Sequence, residues 1–355
     1  MNRMTKIPSL YSGRYVPTAS NNKFVQVTSP FSSGNTIVGV TCNKFNSSYV
    51  VYLNNGSNGR IDTSNGIVTA ISNFSGGAAR DDDYEVYKVS NADVIYRISE
   101  SMVSYYTDAY GFLDIVQLQN PDSPNLVNNR LLNFGEGLLA YNSNGFNYWY
   151  STVDGITFGT LNTYADGIIV LSDAYDKTND MICILGDSQS AEYAIWNGTN
   201  RGLNRASNTL LGIPNTNGSD NRYRCVSYQE LTGQPSSNRM FIGGDTGAIV
   251  TYTGFTLANL TTNKSDPFYQ YCATQLAQFS PADSISCFGA TSNYFYAGTS
   301  TGKLAKSADG VSWYSVDFFN EGVAGKIVGI IGDFDGKLLV VGSNNFFATL
   351  DLALE

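Results

Sequence analysis

The sequence predicts an all-β chain: a seven-bladed β-propeller of four-stranded antiparallel blades, its ring closed by an N-terminal strand that completes the last blade. Three observations predict it. A glycine turn motif recurs six times with a period near 45 residues. The stretches between turns are rich in β-branched and aromatic residues, with no amphipathic helix of three turns. The last repeat stops one strand short, while a lone strand stands in phase near the N-terminus. Four short strands per repeat of this length are the mark of a propeller blade. The whole of the 355 residues then reads as one domain, although division by about 150 residues would give two.

In chain order, residues 1–22 form an N-terminal arm and residues 23–29, Lys23-Phe24-Val25-Gln26-Val27-Thr28 and its neighbour, the closing outer strand. Blades are expected at about 35–71, 84–118, 130–161, 167–200, 222–258, 284–317 and 326–355. The first turn is Thr63-Ser64-Asn65-Gly66-Ile67 and the second is Ala109-Tyr110-Gly111-Phe112. The third is Thr152-Val153-Asp154-Gly155-Ile156-Thr157-Phe158 and the fourth Trp196-Asn197-Gly198-Thr199. Thr251-Tyr252-Thr253-Gly254-Phe255 is the fifth, and Ser307-Ala308-Asp309-Gly310-Val311-Ser312-Trp313 the sixth. The glycines fall at 66, 111, 155, 198, 254 and 310, at intervals of 45, 44, 43, 56 and 56. Asp-Gly and Asn-Gly between β-rich runs favour tight hairpins, because positive φ is needed at the turn.

Upstream of each turn lie further strands, clearest at 131–134 and 137–141, at 223–227 and 239–244, and at 284–289 and 294–298. The last repeat has strands at 326–331, 337–342 and 346–350, and its turn would fall near 355, where the sequence stops. The strand at 23–28, about 45 residues before Gly66, supplies the missing partner and pairs an edge that would otherwise stay open.

Composition removes several chemistries. There is no histidine, so no Ser-His-Asp or Cys-His nucleophile and no imidazole-bound metal is possible. Charged residues make up 14% of the chain, against about 25% in ordinary soluble domains. The net charge of −9 and the lack of a basic run argue against nucleic acid and anionic membrane as partners. Five cysteines (Cys42, Cys183, Cys225, Cys272 and Cys287) show no CxxC spacing. They are expected as small core hydrophobes rather than disulfides or metal ligands. Arg80-Asp81-Asp82-Asp83 reads as a solvated loop, and sequons such as Asn46-Ser47-Ser48 as by-products of composition. No apolar segment suggests a signal peptide or membrane insertion, so assembly in a cytoplasm is expected, with no cofactor and no metal.

The motif Ser307-x-Asp309-Gly310-x-Ser312-Trp313, with its copy from Thr152, resembles the Asp-box or BNR-type hairpin of sialidase-like propellers, shortened by one residue. The resemblance implies a structural role: Asp and Ser/Thr side chains bond nearby backbone while the aromatic packs between sheets. It makes Gly66, Gly111, Asp154, Gly155, Gly198, Gly254, Asp309, Gly310 and Trp313 structural turn residues, with no catalytic residue among them. True sialidases use three arginines, a Tyr-Glu pair and an Asp. Arg97, Arg130, Arg201, Arg205 and Arg224 are available, but no Arg-Ile-Pro element stands near the N-terminus, where Arg14-Tyr15-Val16-Pro17 is the nearest sequence. The abundance of Asn, Ser, Gly and Tyr also resembles bacteriophage tail, hub and fibre proteins.

Propeller function usually lies on loops. Two long connections are expected, at about 200–221 and 258–283, both running from an outer strand to the next inner strand and so sharing one face. They carry Arg201 and Arg205, and Phe268, Tyr269 and Tyr271, types that suit sugar rings or an apolar protein patch. Asp173, Asp176 and Asp180 are placed in a polar connection, and Asp333-Phe334-Asp335-Gly336 at a hairpin turn. The leading expectation is a non-enzymatic component of a bacteriophage virion that contacts another virion protein or a host surface glycan. The alternatives are a sialidase-like glycosidase and a cellular scaffold propeller that binds peptides.

Overall fold

A computed structural model describes residues 23–29, 31, 34, 36–43, 48–53, 58–62, 67–71, 83–90, 92–99, 102–107, 110–118, 129–134, 137–142, 147–164, 170–176, 181–186, 191–197, 202–206, 223–252, 269–271, 283–334 and 336–355. Within them lie seven four-stranded antiparallel sheets. The first holds β2 (Ile37–Asn43), β3 (Ser48–Leu53), β4 (Asn58–Asp62) and β5 (Ile67–Ile71). The second holds β6 (Asp83–Val89), β7 (Ala92–Ser99), β8 (Met102–Thr107) and β9 (Gly111–Gln117). The third comprises β10 (Asn129–Asn133), β11 (Leu138–Asn142), β12 (Asn147–Thr152) and β13 (Gly159–Tyr164). The fourth comprises β14 (Val170–Asp176), β15 (Met181–Gly186), β16 (Ala191–Asn197) and β17 (Gly202–Ala206). In the fifth are β18 (Tyr223–Gln229), β19 (Arg239–Gly244), β20 (Ile249–Tyr252) and β21 (Tyr269–Tyr271). In the sixth are β22 (Ile285–Ala290), β23 (Phe295–Thr299), β24 (Leu304–Ser307) and β25 (Tyr314–Ser315). The last joins β26 (Ile327–Phe334), β27 (Lys337–Gly342) and β28 (Phe346–Asp351) to β1 (Val25–Val27).

The first strands of successive sheets neighbour one another from β2 through β6, β10, β14, β18 and β22 to β26, and β26 returns to β2. That closed circuit makes the chain a β-propeller with the first strands innermost. Closure uses both ends of the described chain. Val25, Gln26 and Val27 pair with Thr349, Ala348 and Phe347, and the Ile37 N–H donates to the Ser343 carbonyl at 3.0 Å. Phe24 is buried, with its ring edge-on to Phe318 at 4.9 Å.

The core lies between sheets, as alternating strand residues require. Phe241 of the fifth sheet meets Phe288, Phe295 and Trp313 of the sixth at centroid distances of 5.2, 5.1 and 5.6 Å. Tyr87, Tyr96 and Ile98 of the second sheet share a cluster with Leu131, Leu138 and Ala140 of the third. Close approach between inner strands explains the glycines there: a Cβ on Gly332 would lie 1.6 Å from the Ala290 carbonyl oxygen. Cys225 is buried and Cys287 half-buried, and burial pushes the Cys287 thiol up to about 12.

Two outer strands differ from expectation. The fourth sheet runs past residue 200, because β17 begins at Gly202, which pairs with Asn197. Its sequence Gly-Leu-Asn-Arg-Ala carries one large apolar residue, since an outer strand needs no continuous apolar run. In the fifth sheet the outer strand is β21, paired through Tyr252 to Tyr269 and Val250 to Tyr271, far beyond the Gly254 turn. Asp173 and Asp176 also lie within β14 rather than in a connection. Asp180 is outside the described residues.

Candidate functional site

Antiparallel order puts the links into each first strand, and those between second and third strands, at one end of every sheet. We call this the upper face. Links between first and second strands, and between third and fourth, lie at the lower face.

This topology corrects the expected binding loop pair. Arg205 lies in β17, paired with Ala194, and Tyr269 and Tyr271 lie in the edge strand β21. None of the three sits on a connection to the next blade. Arg201 and Phe268 lie outside the described residues, as do Gly66, Gly198 and Gly254, whereas Gly111 opens β9. The strands that lead to the next blade end at Ala206 and Tyr271 and resume at Tyr223 and Ile285, and all four of these strand ends lie at the upper face, on either side of the fifth sheet or in it.

The described residues there form a polar frame. Tyr223 pairs with Gly244 and Cys225 with Gly243, so Arg224 is the extra residue of a bulge, a device that re-aims a side chain. Its Nε and Nη2 donate to Asp245 Oδ1 and Oδ2 at 2.8 and 2.9 Å. Asp245 opens the 3-10 turn Asp245–Gly247, and Gly247 takes φ 70° to close it. Ser284 Oγ donates to Asp245 Oδ1 at 2.7 Å, joining the fifth and sixth sheets. Beside it, the fully buried Asp283 accepts from Thr301 Oγ1 and, at 2.8 Å, from Lys303 Nζ. Hydrogen bonding to Asp283 outweighs desolvation and raises the Lys303 ammonium above its ordinary value. The Arg224 side chain is 44% exposed. With Nε and Nη2 held by Asp245, its remaining N–H groups can meet a carbonyl of a docked chain.

The lower face carries the two clear Asp-Gly turns. Asp309 Oδ1 accepts from Ser307 Oγ, Val311 N and Ser312 N at 2.9, 2.8 and 2.7 Å. Asp154 Oδ1 accepts from Thr152 Oγ1, Ile156 N and Thr157 N at 2.8, 2.9 and 2.7 Å. Each turn leans on the preceding blade. The Tyr96 hydroxyl donates to the Gly155 carbonyl at 2.8 Å, and Trp313, its Nε1 bonded to the Gly310 carbonyl at 3.2 Å, packs on Phe241. These residues bind their own backbone and their neighbours.

Of the arginines considered for a sialidase-type site, Arg97 lies over the Phe112 ring at 4.5 Å and Arg224 is held by Asp245. Among the described residues no group of three or more Cys, Asp or Glu is placed to hold a metal ion, and no helix is long and apolar enough to cross a membrane. Sequence reading missed Asp245, Asp283, Ser284 and Lys303. The one signal was the turn sequence Gly244-Asp245-Thr246-Gly247 after an apolar strand.

No protein-family model matches the chain, and no curated protein matches it. Solved structures do. "YCF48 bound to D1 peptide" matches with a TM-score of 0.63 and 12% identity, over 94% of this chain and 97% of that one. "YCF48 from Cyanidioschyzon merolae" matches with a TM-score of 0.64 and 11% identity, over 93% and 99%. At such identity the likeness shows the fold. It also corrects the leading expectation of a virion component contacting virion proteins or a glycan. Of the two, the one whose ligand is stated holds a D1 peptide, neither a virion protein nor a glycan.

Proposed function

We propose that this chain is a non-enzymatic propeller that binds a peptide segment of a cellular partner protein. The observation that carries the reading is the near full-length fold match to a propeller bound to a peptide. We further assign the peptide to the upper face around the fifth and sixth sheets. The strand ends leading into two long connections meet there, and the Arg224, Asp245 and Ser284 frame offers charged and hydroxyl groups for backbone recognition. The charges are mutually paired, so the frame favours hydrogen bonding over attraction of a strongly charged ligand. The lack of histidine fits a protein that holds rather than transforms. Sheets serve as scaffold in this reading and loops as reader. The Asp-Gly turns keep the structural part that their Asp-box resemblance implies.

Selection of peptides from a random library on the purified chain, followed by anisotropy titration, tests this. Sequence-selective peptides are expected to bind with dissociation constants on the order of micromolar. Arg224→Glu is expected to weaken them about tenfold or more. The reading is abandoned if no peptide is selected, or if the chain cleaves a glycan panel in a carboxylate-dependent way.

A further inference from the structure

The lower face of the sixth sheet contains a carboxylate receptor that the peptide reading does not use. Its walls are the turn between β22 and β23. Thr291 and Tyr296 are completely buried. The turn is fixed by its own bonds, with the Thr291 N–H donating to the Tyr294 carbonyl at 2.9 Å and the Tyr294 N–H to Thr291 Oγ1 at 3.1 Å. The Thr232 N–H ties the same turn to the fifth sheet through the Thr291 carbonyl at 3.1 Å.

Into this receptor comes the carboxylate of Glu355. Its Oε1 accepts from the Tyr296 hydroxyl at 2.5 Å and from Thr291 Oγ1 at 2.8 Å, and its Oε2 from Asn293 Nδ2 at 3.1 Å. Lys306 Nζ, seated 4.0 Å above the Tyr294 ring, reaches the Glu355 backbone carbonyl at 3.4 Å. Three donors converging on one carboxylate, two of them from buried side chains, form a built anion site.

The occupant is held by polar bonds more than by packing: the Leu352 N–H donates to the Gly336 carbonyl at 3.0 Å and Lys23 Nζ to the Leu354 carbonyl at 2.5 Å. Glu355 arrives on the 3-10 turn Leu352–Leu354, which has no buried residue, and Leu354 is 52% exposed. Only Leu352 packs, half-buried, on the core between the sixth and last sheets. Asp351 caps the turn by accepting from the Ala353 N–H at 2.9 Å. The arrangement parallels the second and third sheets, where the Tyr96 hydroxyl donates to the carbonyl of Gly155 in the next blade's turn. In the last sheet that backbone acceptor is replaced by a side chain on a segment with no buried residue.

We propose that this cradle is a binding site for an acidic peptide segment, an apolar residue followed three positions later by a carboxylate, and that Leu352–Glu355 is its intramolecular occupant. The tether supplies the occupant at an effective concentration on the order of millimolar. A partner segment therefore binds only to the fraction of molecules in which the tether has let go.

The test uses the full chain carrying Glu355→Ala and a fluorescein-labelled peptide, Asp-Leu-Ala-Leu-Glu. The variant is expected to bind the peptide at least about tenfold more tightly than the parent chain, because the competing occupant is removed. Exchanging the peptide's Glu for Gln should abolish that gain, and adding Asn293→Ala should weaken binding about threefold to tenfold. Equal binding by variant and parent, or none by either, overturns the proposal. If circular dichroism shows that the variant does not fold, the parent chain is titrated with millimolar peptide and followed by NMR. Shifts of the Asn293 side-chain amide and the Thr291 N–H with the Glu peptide but not the Gln peptide support the site. Unmoved signals overturn it. Neither arm depends on Arg224, so the upper-face reading stands or falls separately.

Discussion

Asp154 and Asp309 each place one carboxylate oxygen against three donors, and those bonds govern their acid behaviour. The backbone N–H groups of Thr157 and Ile156, then the Thr152 hydroxyl, hold Asp154 well below its ordinary value of 3.8. At Asp309 burial pulls upward, but the Ser312 and Val311 N–H groups and Ser307 outweigh it and leave the group lowered. A depressed folded-state pKa gives stability that is present above the unfolded value and lost as pH falls through the folded one. Thermal melts should therefore show Asp309→Ala less stable than the parent at pH 7, by about 1 kcal/mol given the exposed carboxylate. The difference should shrink steadily below pH 3.8. A gap that stays constant down to pH 2 would mean that the carboxylate charge is not the stabilising feature. Gly310 is constrained in another way. Its φ is +74°, and an added Cβ would lie 2.4 Å from Arg239 Cδ. Gly310→Ala should cost about 1–3 kcal/mol, and Trp313→Ala, which empties a buried aromatic site, about 3–5 kcal/mol. Equilibrium urea unfolding of both variants checks the order.

Among the elements, inner and middle strands were legible because they bury both faces and read as apolar runs. Lys337–Gly342 and Arg239–Gly244 were found with their bounds. Two outer strands, β17 and β21, were missed, whereas the closing outer strand β1 was found. β17, Gly-Leu-Asn-Arg-Ala, carries one large apolar residue and β21 is only three residues long, so their backbone pairing leaves little trace in hydropathy. The Asp-Gly turns at 155 and 310 were legible through positive φ. The upper-face frame was not, since Arg224 gains its meaning from a bulge and from Asp245, 21 positions away. At this scale β1 makes a sharp prediction. It pairs through only three residues, so its hold on β28 rests heavily on Phe24 beneath it. Phe24→Ala should cost about 3 kcal/mol. In hydrogen exchange it should deprotect residues 25–27 well before the inner strand β26. Loss of protection throughout the last sheet at one rate would show instead that the sheet opens as a unit.

At the scale of the whole molecule, the ring divides its work between two ends. On the lower face the Asp-Gly turns of the third and sixth sheets lean on the preceding blade, and Glu355 of the last sheet meets Tyr296 of the sixth. The upper face carries the strand ends that lead from blade to blade and the Arg224 frame. The circuit of inner strands, closing from β26 to β2, keeps both ends in register. The reading of this chain as a peptide binder places its ligand on the upper face. The most direct test is hydrogen exchange on the chain saturated with a selected peptide, compared with the free chain. The account predicts new protection at residues 223–224, 245–248 and 283–284, with the Asp-Gly turns at 153–158 and 308–313 unchanged. Protection confined to those lower-face turns, or no change anywhere despite saturation, would contradict it.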